Sequence, residues 1–256
     1  MKISVLGAHN TESENTKYTC FLIDDLVAVD AGALTASLSF KAISSLVAVL
    51  LTHEHFDHIR DIPTIAFNLF SQESSLNLVC TSGTKKVITK HLFNKTVYPQ
   101  YHKLPPGKPT ITFCVIRPGG IIKIGGYEII AIPVNHTRDA TGFLVSDSED
   151  KRIFFSSDTG PGFLDNWKYP LPQTIVTEVT MPNRFVAFAS QTMHLTPKTL
   201  ADELIKFNQI TGRKPNIIVA HMHPAYEQEL TAELNTIADN LDLPTAIAKA
   251  NTTLEL

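Results

Sequence analysis

The chain has 256 residues, 43% of them hydrophobic and 18% charged, with a formal net charge of −3. That is an ordinary globular composition. So even a charge balance offers no general attraction to nucleic acid or to an anionic membrane. No apolar run approaches the roughly 20 residues needed to span a bilayer, and the sequence shows no linker, so one domain over residues 1–256 is expected. There is no low-complexity segment, no block of like charge and no repeat at solenoid periods. Cys20, Cys80 and Cys114 are odd in number and widely spaced. They read as buried or incidental thiols, which suits a reducing cytoplasm.

The opening MKISVLGAHN is too short an apolar stretch for a signal peptide and reads as a first strand. TCFLI, LVAVD and SLVAVLLT follow as strands. A helix is expected through IRDIPTIAFNLF, with Pro63 tolerable in its first turn. LNLVC reads as a strand and TKKVITKHLFNK as an amphipathic helix. Residues 98–109 are rich in Pro, Lys and His and read as a surface loop, either a lid or a subunit contact. Strands return in TITFCVI, GIIKI, YEIIAIPV, GFLVS, RIFFSS and TIVTEVT, followed by a loop to His194. LTPKTLADELIKFNQITG is a signposted helix: Thr196 fits its N-cap, Pro197 its first position and Gly212 its stop. NIIVA is a strand, YEQELTAELNTIADNL a helix, and TTLEL a last strand. The pattern predicts two layers of sheet flanked by helices.

The segment HEHFDH, His53 to His58, sets three imidazoles and two carboxylates behind an apolar strand. His53 and His55, two apart, point the same way in extended chain. Asp57 and His58 follow where the chain turns toward helix and can aim at a neighbouring point. Imidazole mixed with carboxylate, without thiolate, suits zinc, iron or manganese rather than a structural zinc knuckle. Three further apolar runs end on a ligand-type residue, at His136, Asp158 and His221. Strand ends in layered folds converge on one rim.

These motifs, AVDAG, HEHFDH, VNHT, SSDTG and AHMH in chain order, resemble those of the metallo-β-lactamase superfamily along nearly the whole length. The resemblance implies an α+β fold, a four-layer αββα sandwich. It implies one metal held by His53, His55 and His136 and another by Asp57, His58 and His221. Asp158 would bridge the two, and Asp30 would orient ligands from behind. Iron-bearing redox members usually carry an acidic residue where His55 stands. A histidine there favours a hydrolytic pair of divalent ions, zinc first, with manganese or iron as alternatives. Two ions about 3.5–4 Å apart can hold a bridging hydroxide as nucleophile, with Asp57 accepting or orienting its proton.

Residues outside the ligand set narrow the substrate. Glu178-Val179-Thr180 and His194-Leu195-Thr196 resemble the E-x-T and H-x-T segments of the phosphodiesterase branch, particularly ribonuclease Z. Glu178 would hold His194 oriented and partly charged, and His194 would donate a proton to the leaving oxygen. The span from His136 to Asp158 is too short for the RNA-binding arm of ribonuclease Z. Class II cyclic-nucleotide phosphodiesterases share the motif order, yet Phe56 and Asp61 replace their usual leucine and glycine. A small phosphodiester or cyclic nucleotide is therefore the expected substrate. A thioester, lactone or β-lactam, or an RNA 3′ end, is the alternative. A nucleic-acid or membrane partner is not expected, and a homodimer is left open. Arg60, Arg138 and Arg184 could grip an anion or be ordinary surface arginines. His223 is read as a neighbour of the site, and His9, His91 and His102 as surface residues.

Overall fold

A computed structural model of the protein describes residues 1–256. In chain order the strands are β1 (Lys2–Gly7), β2 (Cys20–Ile23), β3 (Val27–Val29), β4 (Ala48–Leu50), β5 (Leu76–Cys80), β6 (Ile111–Val115), β7 (Ile121–Ile124), β8 (Tyr127–Pro133), β9 (Thr141–Ser146), β10 (Arg152–Phe155), β11 (Thr174–Glu178), β12 (Asn216–Ala220), β13 (Thr245–Ile247) and β14 (Thr252–Glu255). The helices are α1 (Phe40–Ser45), α2 (Phe56–Ile59), α3 (Ile62–Ser71), α4 (Ser82–Val87), α5 (Val186–Gln191), α6 (Pro197–Thr211) and α7 (Glu227–Leu241). Two seven-stranded sheets form, ordered β14-β1-β2-β3-β4-β5-β6 and β13-β12-β11-β10-β9-β8-β7. No helix is long and apolar enough to cross a membrane.

Alternation along the strands sorts side chains into layers, because successive residues face opposite sides of a sheet. Phe21 and Ile23 of β2 meet Ile129 of β8, Phe143 of β9 and Phe155 of β10 between the sheets. Cys20 and Leu22 face the other way, toward Ile62, Ile65 and Leu69 of α3. On the second sheet Leu144, Phe154 and Ile217 turn outward to Leu200, Leu204 and Phe207 of α6 and to Leu230 and Leu234 of α7. The result is the expected α+β sandwich in four layers. It needs near-continuous apolar strands, since both faces of each sheet are covered.

Strands β3 to β6 run parallel, as do β10 to β13. Their carboxyl ends therefore share one rim, where ligand-bearing loops collect. α6 forms as expected. Thr196 accepts from the Thr199 amide and Thr199 Oγ1 from the Thr196 amide, Pro197 opens the helix, and Gly212 ends it at φ 67°.

Four expectations need correction. The predicted helix over residues 84–95 is α4 continued by one wide turn, Ile88–Leu92. The supposed loop before His194 holds a 3-10 turn, Asn183–Phe185, and then α5. β13 has no alternating pattern and is a strand because it adds, parallel, to β12. His102 is not a plain surface residue: its ring lies 6.0 Å from those of both Phe93 and Phe113.

Candidate metal centre

Every residue singled out for metal chemistry sits at or just beyond the carboxyl end of a strand or the start of a helix. His53 follows β4 and His55 caps α2, whose single turn carries Asp57 and His58. His136 follows β8, Asp158 follows β10 and His221 follows β12 directly. Donor atoms of His53, His55, His136 and Asp158 all lie within 4.8 Å of one another. Those of Asp57, His58, Asp158 and His221 form a second such group. Asp158 belongs to both, and its two oxygens divide the work. Oδ1 lies 3.3 Å from Nε2 of His58 and of His221, while Oδ2 lies 3.8 Å from Nε2 of His53 and 3.9 Å from Nε2 of His136.

The hydrogen bonds behind the rings fix which nitrogens face inward. Asp30 Oδ1 accepts from the amide and hydroxyl of Thr52, both at 2.9 Å, while Oδ2 accepts from His58 Nδ1 at 2.7 Å. His136 Nδ1 donates to the Met193 carbonyl at 3.0 Å, and His221 Nδ1 lies 3.0 Å from Thr180 Oγ1. In the neutral rings, protonation of Nδ1 leaves the inward Nε2 as the lone pair. Buried Nε2 of His53 and of His58 has no hydrogen-bond partner at all. His136 Nε2 and His55 Nδ1 face each other at 3.2 Å. Lone pairs and carboxylates converging in a buried space are unfavourable unless a cation lies among them, so the donor set fits two divalent ions.

Burial and crowding by His58 keep His53 well below its usual pKa, hence neutral. Asp158 is fully buried, which would raise its pKa, but His221 and His58 outweigh burial and hold it well below the ordinary carboxylate range. Asp57 is held down in the same sense, chiefly by His58 and His221. Neutral imidazole beside ionised carboxylate is the protonation pattern that metal binding requires. His58 is the exception: burial would lower its pKa, but Asp158, Asp30 and Asp57 outweigh burial and hold it well above the usual value, so a metal bound there would displace its proton.

A third group, Glu178, His194 and His221, adjoins these two. Glu178 ends β11 and is 2% exposed. Its Oε1 lies 2.6 Å from His194 Nδ1 and accepts the Thr159 amide at 3.0 Å, and its Oε2 accepts from the Thr180 hydroxyl at 2.7 Å. Burial alone would lower the His194 pKa, but the facing carboxylate outweighs it and raises it to about 9. Four residues of the site, Asp30, Ser157, Met193 and His221, adopt left-handed φ of 61°, 65°, 56° and 58°. Non-glycine residues persist there only where the surroundings over-determine them.

The model of the β-lactamase superfamily domain matches residues 21–222. The chain belongs to the β-lactamase superfamily. Its four-layer fold is the metallo-β-lactamase type, and its paired donor clusters support metal-dependent hydrolysis. No curated protein sequence matches this superfamily member. Solved structures do match in fold. Unliganded yeast PDE1 has a TM-score of 0.83 at 18% identity, with 100% of this chain and 99% of that one covered. YhfI from Bacillus subtilis, a metallo-β-lactamase fold protein, has a TM-score of 0.74 at 18% identity over the same shares. The short form of human tRNase Z has a TM-score of 0.69 at 14% identity, covering 100% and 99%.

Of the arginines considered for anion gripping, Arg60 is engaged by Glu12 and by Asp61, 2.9 Å away. Arg184 is held on Glu229 at 2.9 Å and stacked over Phe185, 4.1 Å from the ring centre. Arg138 is exposed, in the loop that carries His136. His223 caps the turn that opens α7, accepting from the Ala225 amide at 3.2 Å. His9 is buried beside Glu227, contrary to the surface reading. Sequence reasoning missed Thr180, whose hydroxyl touches Glu178, His194 and His221 together. Its signal was available as the third residue of the E-x-T segment.

Proposed function

We propose that the protein is a phosphodiesterase with a dinuclear metal centre, acting on a small phosphodiester or cyclic nucleotide. One metal would be held by His53, His55 and His136, the other by Asp57, His58 and His221, with Asp158 shared and zinc preferred over manganese or iron. The observation that carries the reading is the Glu178–His194 pair, which abuts the metal ligands at His221. A metal pair when bound supplies positive charge for a phosphoryl group and a water of lowered pKa. The remaining work falls to side chains.

Glu178 accepts the Nδ1 proton of His194 and so leaves its Nε2–H free at the rim. From there His194 can donate a proton to the departing oxygen of a phosphodiester. Thr180 ties that pair to His221, so the acid is positioned by the same framework as the ligands. Asp57, with Oδ2 3.3 Å from His221 Nε2, is placed to orient a water or accept its proton. Asp30 holds His58 in one tautomer. A thioester would make little demand on Glu178 or His194, because a thiolate leaves without a proton, whereas the alkoxide leaving a phosphodiester needs one.

The test is turnover of bis(p-nitrophenyl) phosphate and 3′,5′-cyclic nucleotides by zinc- or manganese-loaded protein. Hydrolysis is expected, with His194→Ala lowering kcat by about 10²–10⁴ while two metals remain bound. Unchanged kcat in His194→Ala, or turnover of thioesters and lactones alone, would overturn the reading.

A further inference from the structure

The near-neutral charge hides a segregation. Between Glu73 and Glu128 the sequence has no Asp or Glu, yet it carries eight Lys or Arg residues. The rest of the chain holds fourteen Lys or Arg against twenty-five Asp or Glu. No block of like charge forms, as expected, because the cations are spaced by uncharged residues; the asymmetry shows only over the whole segment. The fold gathers them. The segment comprises β5, α4, the wide turn after it, the loop to Pro109 and the two edge strands β6 and β7. Lys123 pairs with Glu128 at 3.6 Å, whereas Lys86, Lys90, Lys103, Lys108 and Arg117 are exposed and carry no ion pair. Elsewhere most cations are matched, as in Lys198–Asp202 at 2.7 Å and Lys2–Asp25 at 2.5 Å.

The pieces form one connected face. Lys85 Nζ lies 5.5 Å from the centre of the Phe113 ring of β6. His102 lies between Phe93 and Phe113, which binds the loop carrying Lys103 to the same edge. Lys86 and Lys90 are four apart and exposed together. The face also has a direction. Cys80 and Val115 pair at the carboxyl ends of β5 and β6, on the rim that bears the metal ligands, so α4 and Arg117, which follow those ends, are the part of the strip nearest that rim. Lys103 and Lys108 precede β6 and lie at its far end, about 13 Å away by strand rise. The loop of His136 touches the near end, where Asp139 lies against Gly83 of α4, and also carries exposed Arg138.

We infer that this edge binds the phosphate backbone of a single-stranded nucleic acid leading away from the metal centre, so that substrates longer than a dinucleotide gain affinity here. The placement rests on the phosphodiester reading, because it starts from a phosphate at the metal pair. A flexible polyanion is favoured because the unpaired cations are spread along one sheet edge, from α4 and Arg117 to Lys103 and Lys108 before β6; a folded acidic protein and a lipid surface are the outcomes the test separates. Phosphate contacts of this kind release counterions and weaken steeply with salt.

The experiment compares the metal-loaded protein with a quadruple variant, Lys86→Glu, Lys90→Glu, Lys103→Glu and Lys108→Glu, none of which touches the metal ligands. Anisotropy of a labelled, uncleavable 2′-O-methyl oligouridylate is read across a salt series. Affinity is expected to fall roughly tenfold or more in the variant, and the salt slope by about three, with bis(p-nitrophenyl) phosphate turnover unchanged. Oligonucleotide binding that survives charge reversal overturns the inference. So does equal retention of polyglutamate or phosphatidylserine vesicles by the wild type. If the wild type binds the oligonucleotide through these lysines but hydrolyses no phosphodiester, the strip stands and the phosphodiesterase reading fails.

Discussion

At the residue scale the centre is built from pairs in which one group fixes another. Asp30 is the plainest case, since it is buried and spends both oxygens on Thr52 and His58. Asp30→Ala should leave the fold intact and weaken metal affinity about 10- to 100-fold, read by competition with a chromogenic chelator. Asp158 differs because each of its oxygens serves a different donor group. Asp158→Ala should reduce metal content from two ions per chain to one or none, measured by elemental analysis after gel filtration. Glu178→Gln keeps the shape of the side chain but removes the charge facing His194. Phosphodiester turnover should fall by about 10² or more with metal content unchanged.

At the element scale the local signals are capping, alternation and close approach. Thr196 closes the first turn of α6 reciprocally with Thr199, and Thr196→Ala should cost about 1 kcal/mol in urea unfolding. The turn between β2 and β3 is tied to the other sheet by Tyr127, whose hydroxyl donates to Asp24 Oδ2 at 2.5 Å. Burial opposes ionisation of Asp24, but the bonds from Tyr127 and the Lys2 amide outweigh it and lower its pKa. A carboxyl depressed by folding stabilises above its unfolded pKa and loses that contribution as pH falls through the folded value. Tyr127→Phe should therefore cost about 1 kcal/mol near neutral pH. Its deficit against the wild type should shrink as Asp24 protonates in acid. Gly32 shows close approach: a Cβ there would lie 2.5 Å from Tyr18 Cβ and would also meet the Asp57 carbonyl. No side chain fits between AVDAG and the metal loop.

At the scale of the whole molecule, the proposed ligands come from both sheets. His53, His55, Asp57 and His58 extend the first sheet, and His136, Asp158 and His221 the second. Cations bound between them would clamp the two halves together, since a ligand that binds only the folded state stabilises it. With free zinc at 1,000 times its dissociation constant, one site would add about 4 kcal/mol. For a chain of this size that raises Tm by roughly 8–16 °C. Chelation should reverse the shift in differential scanning calorimetry, and an equal Tm with and without metal would count against a site shared by the sheets.

Much of the layered architecture and the donor set could be read before folding, because both are carried by local patterns. Near-continuous apolar runs mark strands covered on both faces, and HEHFDH, His136, Asp158 and His221 each stand where such a run stops. The cap, first proline and terminal glycine of α6 are likewise one-turn features. β13, with no alternation of its own, is a strand only because β12 offers it an edge, and α5 forms in a stretch without a cap signal. The hydrogen bonds of Thr180, the two-sided use of Asp158 and the unpartnered Nε2 of His53 and His58 join residues far apart in the chain. The unpaired cations around β6 depend on the fold in the same way. Composition counts charges without saying which of them face each other. Local chemistry determined the elements and the candidate donors. Only the tertiary structure decided how they converge, because distance in space between remote residues is set by the packing of the two sheets.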